Sequence, residues 1–303
     1  MRSGALRMRL LRLHRRQRRK SKVGKTLSLG LPGQLALVYS AGHMTWAARW
    51  LGEMSVEMLK IAVVTPYYKE SSAILRQCHE SVLHQTYACR HILVSDGHPE
   101  PLFDNSQGAI HIKLPKAHDD NGNTPRAMGG VFAERNGFDA VAYLDADNWY
   151  DPIHIESMVA AHTASGFSLV ASKRKFVDLQ GNPLDISEKD EERGNHFDTS
   201  CWLIFRPAYH LLRTWLMPKE LSPLCDRIFF YKVRHDRLKM AVTNCRTVNF
   251  RTQYLSHYQA AGIPPPPGVK VTDEIIRKAD AYLKSEKGLA ELNKVLGDPL
   301  RGH

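Results

Sequence analysis

The chain has 303 residues, 43% of them hydrophobic and 24% charged, a balance typical of a globular protein with one large or two small domains. Residues 1–52 contain 12 Lys and Arg residues and no acidic residue, whereas the rest of the chain holds 30 basic and 31 acidic residues. The net charge of +11 therefore belongs to the N-terminal stretch, and no nucleic acid is expected to bind the folded part.

The cysteines and the hydropathy pattern narrow the class of protein further. The five cysteines are widely spaced and form no C-x-x-C pair, which argues for a reducing compartment and against a disulfide framework or a zinc site. No uninterrupted run of about 18 apolar residues predicts a membrane span. We therefore expect a cytoplasmic protein without a transmembrane segment.

Residues 1–57 are predicted to be a basic extension that precedes the folded domain. The run Arg-Arg-Gln-Arg-Arg-Lys at 15–20 resembles a transit peptide or a nucleic-acid-binding arm. The apolar stretch 27–44 is interrupted by glycines and a proline, so it is a poor signal-peptide core. The preferred interpretations are a native start at Met54 or Met58, or a disordered tail.

From residue 59 onward the sequence predicts strands and helices in alternation. Pro66 is expected to end the first strand, and Thr124 followed by Pro125 is expected to open the second helix. Such alternation predicts a parallel sheet with right-handed crossovers. The strands are predicted at residues 59–65, 91–95, 109–114 and 141–144, and the helices at residues 70–84 and 125–137.

The second half of the chain has a less regular pattern. The polar segment 178–195 is predicted to be a hairpin tip or a mobile loop, and the prolines at 264–267 to be a rigid spacer. We expect one domain over residues 58–262, followed by residues 263–303, whose helix packs on that domain. Strands are predicted at residues 168–172, 199–206 and 241–250, and helices at residues 153–163, 207–215, 223–233 and 273–296.

Two carboxylates, Asp145 and Asp147, directly follow the buried strand predicted at 141–144. Open α/β sheets bind ligands at the carboxyl ends of their strands. Side chains two residues apart on a continuing strand point the same way, whereas a turn would let one bind directly and the other through water or a ribose hydroxyl. Divalent cations on substrate phosphates use one or two carboxylates in this manner. The alternative is a solvated loop after a core strand.

Four short motifs occur at the strand ends and on the first helix. They are Thr-Pro-Tyr-Tyr-Lys-Glu at 65–70, Ser-Val-Leu-His-Gln-Thr-Tyr at 81–87, Val-Ser-Asp-Gly at 94–97 and Leu-Asp-Ala-Asp-Asn at 144–148. In this order and spacing the chain resembles the family 2-like nucleotide-sugar glycosyltransferases of the GT-A fold, roughly over residues 59–260. The resemblance implies an α/β fold with a Rossmann-like mixed sheet flanked by helices.

The resemblance also implies a nucleoside-diphosphate sugar, linked to UDP or GDP, as the donor. The loop after the first strand, with Thr65, Pro66 and Tyr67, would supply stacking surface and hydrogen bonds to the nucleotide base. Asp96 would contact the base, because the family has an Asp at this strand end, and Glu70 would lie near the ribose. The alternatives are a simple turn after Asp96 and an ordinary half-buried aromatic side chain at Tyr67.

The same resemblance suggests how a metal ion and the diphosphate are held. A Mn²⁺ or Mg²⁺ ion on Asp147, with Asp145 facing the ion or the ribose, would act as a Lewis acid on the leaving diphosphate. GT-A metal sites often gain a histidine from the C-terminal part of the domain, and His257 has a suitable place; a packing histidine is the alternative. Arg251 and Arg126 are candidates for pairing with the diphosphate.

An inverting transfer needs a general base for the acceptor hydroxyl. The family uses an acid in a Glu-Asp or similar motif at a helix start, and Leu-Cys-Asp-Arg at 224–227 matches only in its Asp. Asp226 is therefore the candidate base. Asp198 is the rival, and it could instead shape the acceptor pocket or make a structural hydrogen bond. The processive Q-x-x-R-W motif is absent, which indicates transfer of a single sugar.

These features predict a metal-dependent, inverting glycosyltransferase that moves one sugar to a glycan, lipid or small-molecule acceptor. A nucleotidyltransferase shares the α/β sheet and the metal chemistry, but it normally has a glycine-rich loop after the first strand, and residues 65–70 contain no glycine. The third hypothesis is a non-catalytic nucleotide- or nucleic-acid-binding protein, with residues 1–25 directed to nucleic acid.

Overall fold

One mixed sheet dominates residues 58–297, the part of the chain that this computed structural model describes. The predicted extension 1–57 and the last residues, 298–303, lie outside the described residues. The strands of the sheet are β1 (Ile61–Tyr67), β2 (Cys89–Asp96), β3 (Ala109–Leu114), β4 (Ala140–Tyr143), β5 (Trp149–Tyr150), β6 (Leu169–Val177), β7 (Pro183–Leu184), β8 (Trp202–Phe205) and β9 (Ala241–Arg251). Their order is β3-β2-β1-β4-β8-β6-β9-β5, with β7 paired to β6.

Helices connect and cover these strands. No helix within residues 58–297 is long and apolar enough to cross a membrane. The α-helices are α1 (Ser72–Leu83), α2 (Asn123–Arg135), α3 (His154–Ser165), α4 (Lys189–Glu192), α5 (Cys225–His235), α6 (Leu255–Ala260), α7 (Asp273–Leu283) and α8 (Glu286–Leu296), and the longer 3₁₀ helices are Arg206–Trp215 and Lys219–Leu224.

The order of the first four strands creates a crevice at one edge of the sheet. β1 pairs in parallel with β2 on one side and with β4 on the other, and β3 continues the parallel set beyond β2. From β1 to β3 each new strand is added on one side of β1, whereas β4 is added on its other side. Right-handed crossovers therefore place α1 and α2 on opposite faces of the sheet. The carboxyl ends of β1 and β4 therefore flank a topological switch point, the usual ligand site of such sheets.

The core is apolar on both faces of the central strands. β4 and β8 are buried at every position, which fits short runs of Val, Ala, Leu and Ile rather than an alternating pattern. Trp215 stacks on Phe229 with 4.6 Å between ring centres, and Trp202 packs 5.2 Å from the same phenyl ring. Each of these buried aromatic side chains contributes about 2–3 kcal/mol to folding, which anchors the 3₁₀ helix Arg206–Trp215 and α5 on the sheet.

Two local predictions near the crevice are wrong. Pro66 does not end β1, because β4 stops pairing opposite Val64 and the proline needs only one neighbouring strand. Thr124 does not cap α2. Instead, the Asp120 carboxylate accepts hydrogen bonds from Thr124 N at 2.9 Å and Thr124 Oγ1 at 2.6 Å, while Gly122 precedes the helix with a φ of +76°.

The polar segment predicted at 178–195 forms a hairpin, since β7 pairs with β6 in antiparallel register. The mobile-loop alternative is wrong for its second half. Glu191 on α4 is fully buried, and its carboxylate lies 3.5 Å from Arg174 Nε and 3.1 Å from Arg246 Nη1. Two buried or half-buried ion pairs thus tie this segment to β6 and β9.

The helix predicted at 273–296 is two helices, α7 and α8. Ser285 caps α8 by accepting a hydrogen bond from Gly288 N at 3.0 Å, which starts a new helix two residues after α7 ends. A Cβ on Gly288 would lie 1.9 Å from the Tyr282 carbonyl oxygen, so the close approach of the helices requires glycine. Ala279 on α7 packs in one apolar cluster with Leu221 and Ile228, which docks the C-terminal helices on the domain.

Candidate active site

The switch point gathers side chains from three neighbouring strand ends. The loop after β4 carries Asp145, Asp147 and Asn148, the loop after β1 carries Glu70, and Asp96 is the last residue of β2. All three strands are parallel, so their carboxyl ends lie at the same edge of the sheet. The structure therefore brings the predicted donor-side acids to one place.

Asp145 is held by a buried arginine. Arg126 Nη2 donates to Asp145 Oδ1 at 2.7 Å, and the guanidinium lies 5.0 Å from the ring centre of Trp215. Burial raises the pKa of Asp145, and the charges of Asp198 and Asp226 raise it further, although Arg126 opposes them. Arg126 is only 3% exposed and already ion-paired, so its contact with the diphosphate stays a prediction. In this structure Arg126 positions Asp145.

Asp147 has no cationic partner among residues 58–297. Gln253 Nε2 donates to Asp147 Oδ2 at 3.0 Å. Burial raises the pKa of Asp147 to about 7, and the negative charges of Asp145 and Glu70 add to that rise. A buried carboxylate surrounded by other acids fits a divalent cation, which would offset this charge. No group of three His, Cys, Asp or Glu side chains that could hold a metal occurs in this part of the chain. The donor phosphates would therefore have to supply further oxygen ligands.

His257 does not join these carboxylates, so its prediction as a metal ligand is wrong. Its Nδ1 shares a hydrogen bond with Thr252 Oγ1 at 2.7 Å, and its ring packs edge-on against Phe176 and Phe250. Burial lowers the pKa of His257 to about 4, which keeps the ring neutral. His257 is the packing histidine of the alternative interpretation.

The loop that carries Asp145 and Asp147 is fixed by β9. Asn148 Oδ1 accepts a hydrogen bond from Arg251 N at 3.0 Å, and Arg251 Nε donates to the Asp147 carbonyl at 3.1 Å. Arg251 Nη1 donates to the Leu179 carbonyl at 2.7 Å, and Nη2 donates to Gln77 Oε1. In this structure the guanidinium of Arg251 holds the loop, and its pairing with the diphosphate stays a prediction.

Asp198 supports the same loop from the other side. Its Oδ1 accepts a hydrogen bond from Ser200 N at 3.0 Å, and its Oδ2 accepts one from Arg174 Nη1 at 3.0 Å. Ser200 Oγ in turn accepts hydrogen bonds from Asp145 N at 3.2 Å and Asn148 Nδ2 at 3.0 Å. Both oxygens of Asp198 are thus used in a buried ion pair and a cap, which favours the structural alternative over its role as a rival base.

Asp226 forms a histidine–carboxylate pair at the start of α5. His196 Nε2 donates to Asp226 Oδ2 at 2.7 Å, and Asp226 Oδ1 accepts a hydrogen bond from Arg227 N at 2.7 Å. Burial alone would raise the pKa of Asp226, but the hydrogen bond and charge of His196 hold it below the ordinary value. The same pair raises the pKa of His196 against the effect of burial. This pairing keeps a partly exposed carboxylate ionised.

Asp96 shapes the loop between β3 and α2. Its oxygens accept hydrogen bonds from His118 N at 3.0 Å, His118 Nδ1 at 2.7 Å and Asp119 N at 3.2 Å. Gly97 has a φ of +78°, and a Cβ there would lie 2.4 Å from Ala117 N, so the next residue must be glycine. A direct contact of Asp96 with a nucleotide base stays a prediction, as does the role of Glu70, whose Oε2 accepts from Tyr68 N at 2.7 Å.

The three residues predicted to bind the base through the first loop lie within β1. Thr65 is fully buried, and its Oγ1 shares a hydrogen bond with His91 Nε2 at 2.8 Å. Tyr67 is 3% exposed, and its hydroxyl bonds His111 Nε2 at 2.6 Å. Pro66 is buried as well. β1 thus runs two residues longer than its pattern indicated, and the contact of these three residues with the base stays a prediction.

Three residues near the predicted acids were not predicted: His196, Gln253 and Tyr254. Burial raises the pKa of Tyr254, and the charges of Asp198, Asp147, Asp145 and Asp226 all add to this effect, so its side chain lies among the acids of both halves of the site. Gln253 and Tyr254 directly follow Arg251 in the sequence. The one signal that could have found them is the run of polar and aromatic residues after β9.

Comparison with known proteins agrees with this geometry. The model of the family described as "Glycosyl transferase family 2" matches residues 62–208. Just under half of the chain is thus similar to the family 2 glycosyltransferases. The match begins in β1 and contains Asp96, Arg126, Asp145 and Asp147. The succinoglycan biosynthesis protein ExoW of Rhizobium meliloti (strain 1021) is 33% identical over 103 residues, which cover 32% of this chain and 32% of ExoW. The match thus spans about a third of this relative.

Solved structures of S. aureus TarS share the fold of the glycosyltransferase domain. The complex of TarS 1–349 with UDP-GlcNAc covers 80% of this chain and 72% of the TarS chain, with a TM-score of 0.53 and 15% identity. A further structure of TarS 1–349 gives a TM-score of 0.52 at 15% identity, and the complex with UDP gives 0.51 at 14%; each covers 80% of this chain and 71% of that TarS chain. The predicted family resemblance and GT-A fold are confirmed.

Proposed function

We propose that this chain transfers a single sugar from a UDP-sugar to an acceptor hydroxyl, in a metal-dependent reaction that inverts the anomeric centre. The observation that carries the proposal is the arrangement of two linked sets of acids. Asp147, without a cationic partner among the described residues, and Asp145 follow β4, whereas Asp226 at the start of α5 pairs with His196. The segment after His196 links the two sets, because Ser200 Oγ accepts hydrogen bonds from Asp145 N at 3.2 Å and Asn148 Nδ2 at 3.0 Å.

Each set of residues has a distinct task in such a reaction. Asp226 accepts the proton of the acceptor hydroxyl. At the same time the acceptor oxygen forms a bond to the anomeric carbon, and the bond from that carbon to the diphosphate breaks. His196 keeps Asp226 ionised and oriented for this transfer. Asp145 and Asp147 are the residues that would hold a Mn²⁺ or Mg²⁺ ion, which supplies positive charge for the departing diphosphate when bound.

The nucleotide is inferred from the comparisons. TarS has been solved with UDP and with UDP-GlcNAc, and it shares the fold over most of this chain. This similarity favours UDP over GDP as the nucleotide of the donor. The nucleotidyltransferase alternative gains no support, because the loop between β1 and α1 contains no glycine that could wrap a triphosphate.

Calorimetric titration of the full chain with UDP and with GDP, each with and without Mn²⁺, tests the donor site. We expect UDP to bind with Mn²⁺ and the binding to be lost in Asp147→Ala. Asp151→Ala is the matched control, because Asp151 pairs with Lys175 at 2.7 Å and has no contact with Asp147. A folded wild-type chain that binds neither nucleotide would contradict the proposal.

Hydrolysis of the UDP-sugar tests the general base, because water takes the place of the acceptor hydroxyl when no acceptor is added. Asp226→Asn should leave UDP affinity unchanged and lower the rate of this hydrolysis by about 10²–10⁴-fold, as expected for loss of a general base. Asp198→Asn should instead lower the stability of the fold, because it breaks the ion pair with Arg174. If Asp198→Asn lost turnover in a fully folded protein and Asp226→Asn did not, the assignment of the base would have to be reversed.

A further inference from the structure

A diphosphate needs positive charge beyond one metal ion, and the obvious arginines already have partners. Arg126 is ion-paired with Asp145 at 2.7 Å, and Arg251 is bound to backbone carbonyls. Among nearby lysines, Lys219 pairs with Asp119, and Lys69 lies 4.7 Å from the ring centre of Tyr68. A cation without such a partner therefore comes from another part of the chain.

Lys270 is brought to the site by the segment that follows the prolines. Lys270 N donates to the Gln253 carbonyl at 2.6 Å, and Leu255 N donates to the Lys270 carbonyl at 3.0 Å. These two bonds form a parallel bridge between Tyr254 and Lys270, which adds a short strand beside the end of β9. The backbone of Lys270 is thus fixed next to the residue whose side chain contacts Asp147.

The side chain of Lys270 is placed to approach the same carboxylate. Gln253 Nε2 lies 3.0 Å from Asp147 Oδ2, so one residue separates Lys270 from the candidate metal site. Lys270 is exposed, and its ammonium has no hydrogen-bond or ion-pair partner within residues 58–297. An exposed cation on a fixed backbone, beside an acid that faces the donor, can bind phosphate without breaking an existing contact.

We propose that Lys270 binds the diphosphate of the donor and so completes the donor site from the C-terminal segment. This role rests on the proposed function, and it gives residues 263–272 a task beyond that of a spacer. The ammonium acts as a point charge on a phosphate oxygen, in the way that lysines bind phosphate in other proteins. It stabilises both the bound donor and the diphosphate as it leaves.

Binding of UDP, UMP and uridine to the full chain in the presence of Mn²⁺ tests this proposal. Lys270→Met should weaken UDP binding about 10-fold, as expected for one charged hydrogen bond, while uridine binding stays unchanged. Lys270→Arg should restore most of the UDP affinity. Lys278→Met is the matched control, because Lys278 is an exposed lysine on α7 that pairs with Glu274 at 2.7 Å. Thermal unfolding of all variants should coincide with the wild type, since neither lysine is buried.

The outcomes separate the two proposals. Equal UDP affinity of Lys270→Met and the wild type would overturn the role of Lys270 and leave the proposed function intact. Equal losses for UDP and uridine in Lys270→Met would also overturn it, because they would show a disturbed nucleotide pocket rather than a lost phosphate contact. A wild-type chain that binds no nucleotide would instead overturn the proposed function, and with it the role of Lys270.

Discussion

At the scale of single residues, Asp147 shows how the site holds charge at a cost to the fold. The pKa of its carboxyl is 3.8 in a model peptide and about 7 in the folded protein, mainly because the group is buried. Between about pH 4 and pH 7 the Asp147 carboxyl is therefore ionised in the unfolded chain but protonated in the folded protein. Stability contributed by this group falls as the pH rises through that window.

We expect metal-free Asp147→Asn to be more stable than the wild type at pH 8, by roughly 2 kcal/mol after allowing for the partial exposure of the carboxylate. At pH 4 the two proteins should be nearly equal. Urea unfolding followed by circular dichroism at both pH values measures this difference. An Asn variant that is less stable than the wild type at pH 8 would show that the carboxylate is stabilised by a contact other than that with Gln253.

The pair formed by His196 and Asp226 predicts a pH profile. The pKa of Asp226 is held low against the effect of burial, first by its hydrogen bond to His196 and then by the charge of that ring. In His196→Ala burial prevails, so the pKa of Asp226 should rise and the acidic limb of the turnover profile should move to higher pH.

His196→Gln separates the charge of the ring from its hydrogen bond. Gln can donate to Asp226 but carries no charge, so its acidic limb should lie between those of the wild type and His196→Ala. Turnover of UDP-sugar measured from pH 5 to pH 9 checks both variants. If all three profiles had the same acidic limb, His196 would have only a structural role.

At the scale of elements, the sequence predicted the regular half of the fold well. β3 has the predicted bounds, 109–114, and the strand before Asp145 was found because it is a short apolar run between turn signals. The sequence did not predict β5, which has two residues, or α6, which has six. Both are too short to show the hydrophobic period of a strand or a helix. The end of β1 was predicted two residues too early, because a proline usually ends a strand. Pro66 fits within β1 because β4 no longer pairs with β1 at that position, which only the structure shows.

The break between α7 and α8 is a further case that the periodic pattern could not show. The apolar residues at 275–296 keep helical spacing across the break, so the pattern predicts one helix. We expect Gly288→Ala to lower the free energy of unfolding by about 1–3 kcal/mol, because its Cβ would lie 1.9 Å from the Tyr282 carbonyl. Chemical unfolding measures the effect.

At the scale of the whole molecule, the site joins residues that are far apart in sequence. The acids at the ends of β2 and β4 could be predicted, since parallel strands place their carboxyl ends together. Gln253 and Tyr254 could not, because they reach the site through β9, whose place in the sheet a sequence does not show. The contacts of the arginines could not be predicted for a related reason. A sequence shows a cation but not which carboxylate or carbonyl it binds in the folded protein.

Charge is divided along the chain in a way that can be tested without a donor. Residues 58–303 hold 30 basic and 29 acidic residues, whereas residues 1–52 hold 12 basic residues and no acid. A variant without residues 1–57 should bind UDP with unchanged affinity, because every residue assigned to the site lies in the remaining part.

The full chain should bind DNA weakly, and its affinity for DNA should fall steeply with added salt, since clustered Lys and Arg displace counterions from phosphates. Filter binding at several salt concentrations measures this difference. Salt-dependent DNA binding by the shortened variant would contradict this prediction. Basic side chains of residues 58–303 would then have to form a DNA-binding surface, although the net charge of these residues is close to zero, and Lys270 would be the first of them to replace.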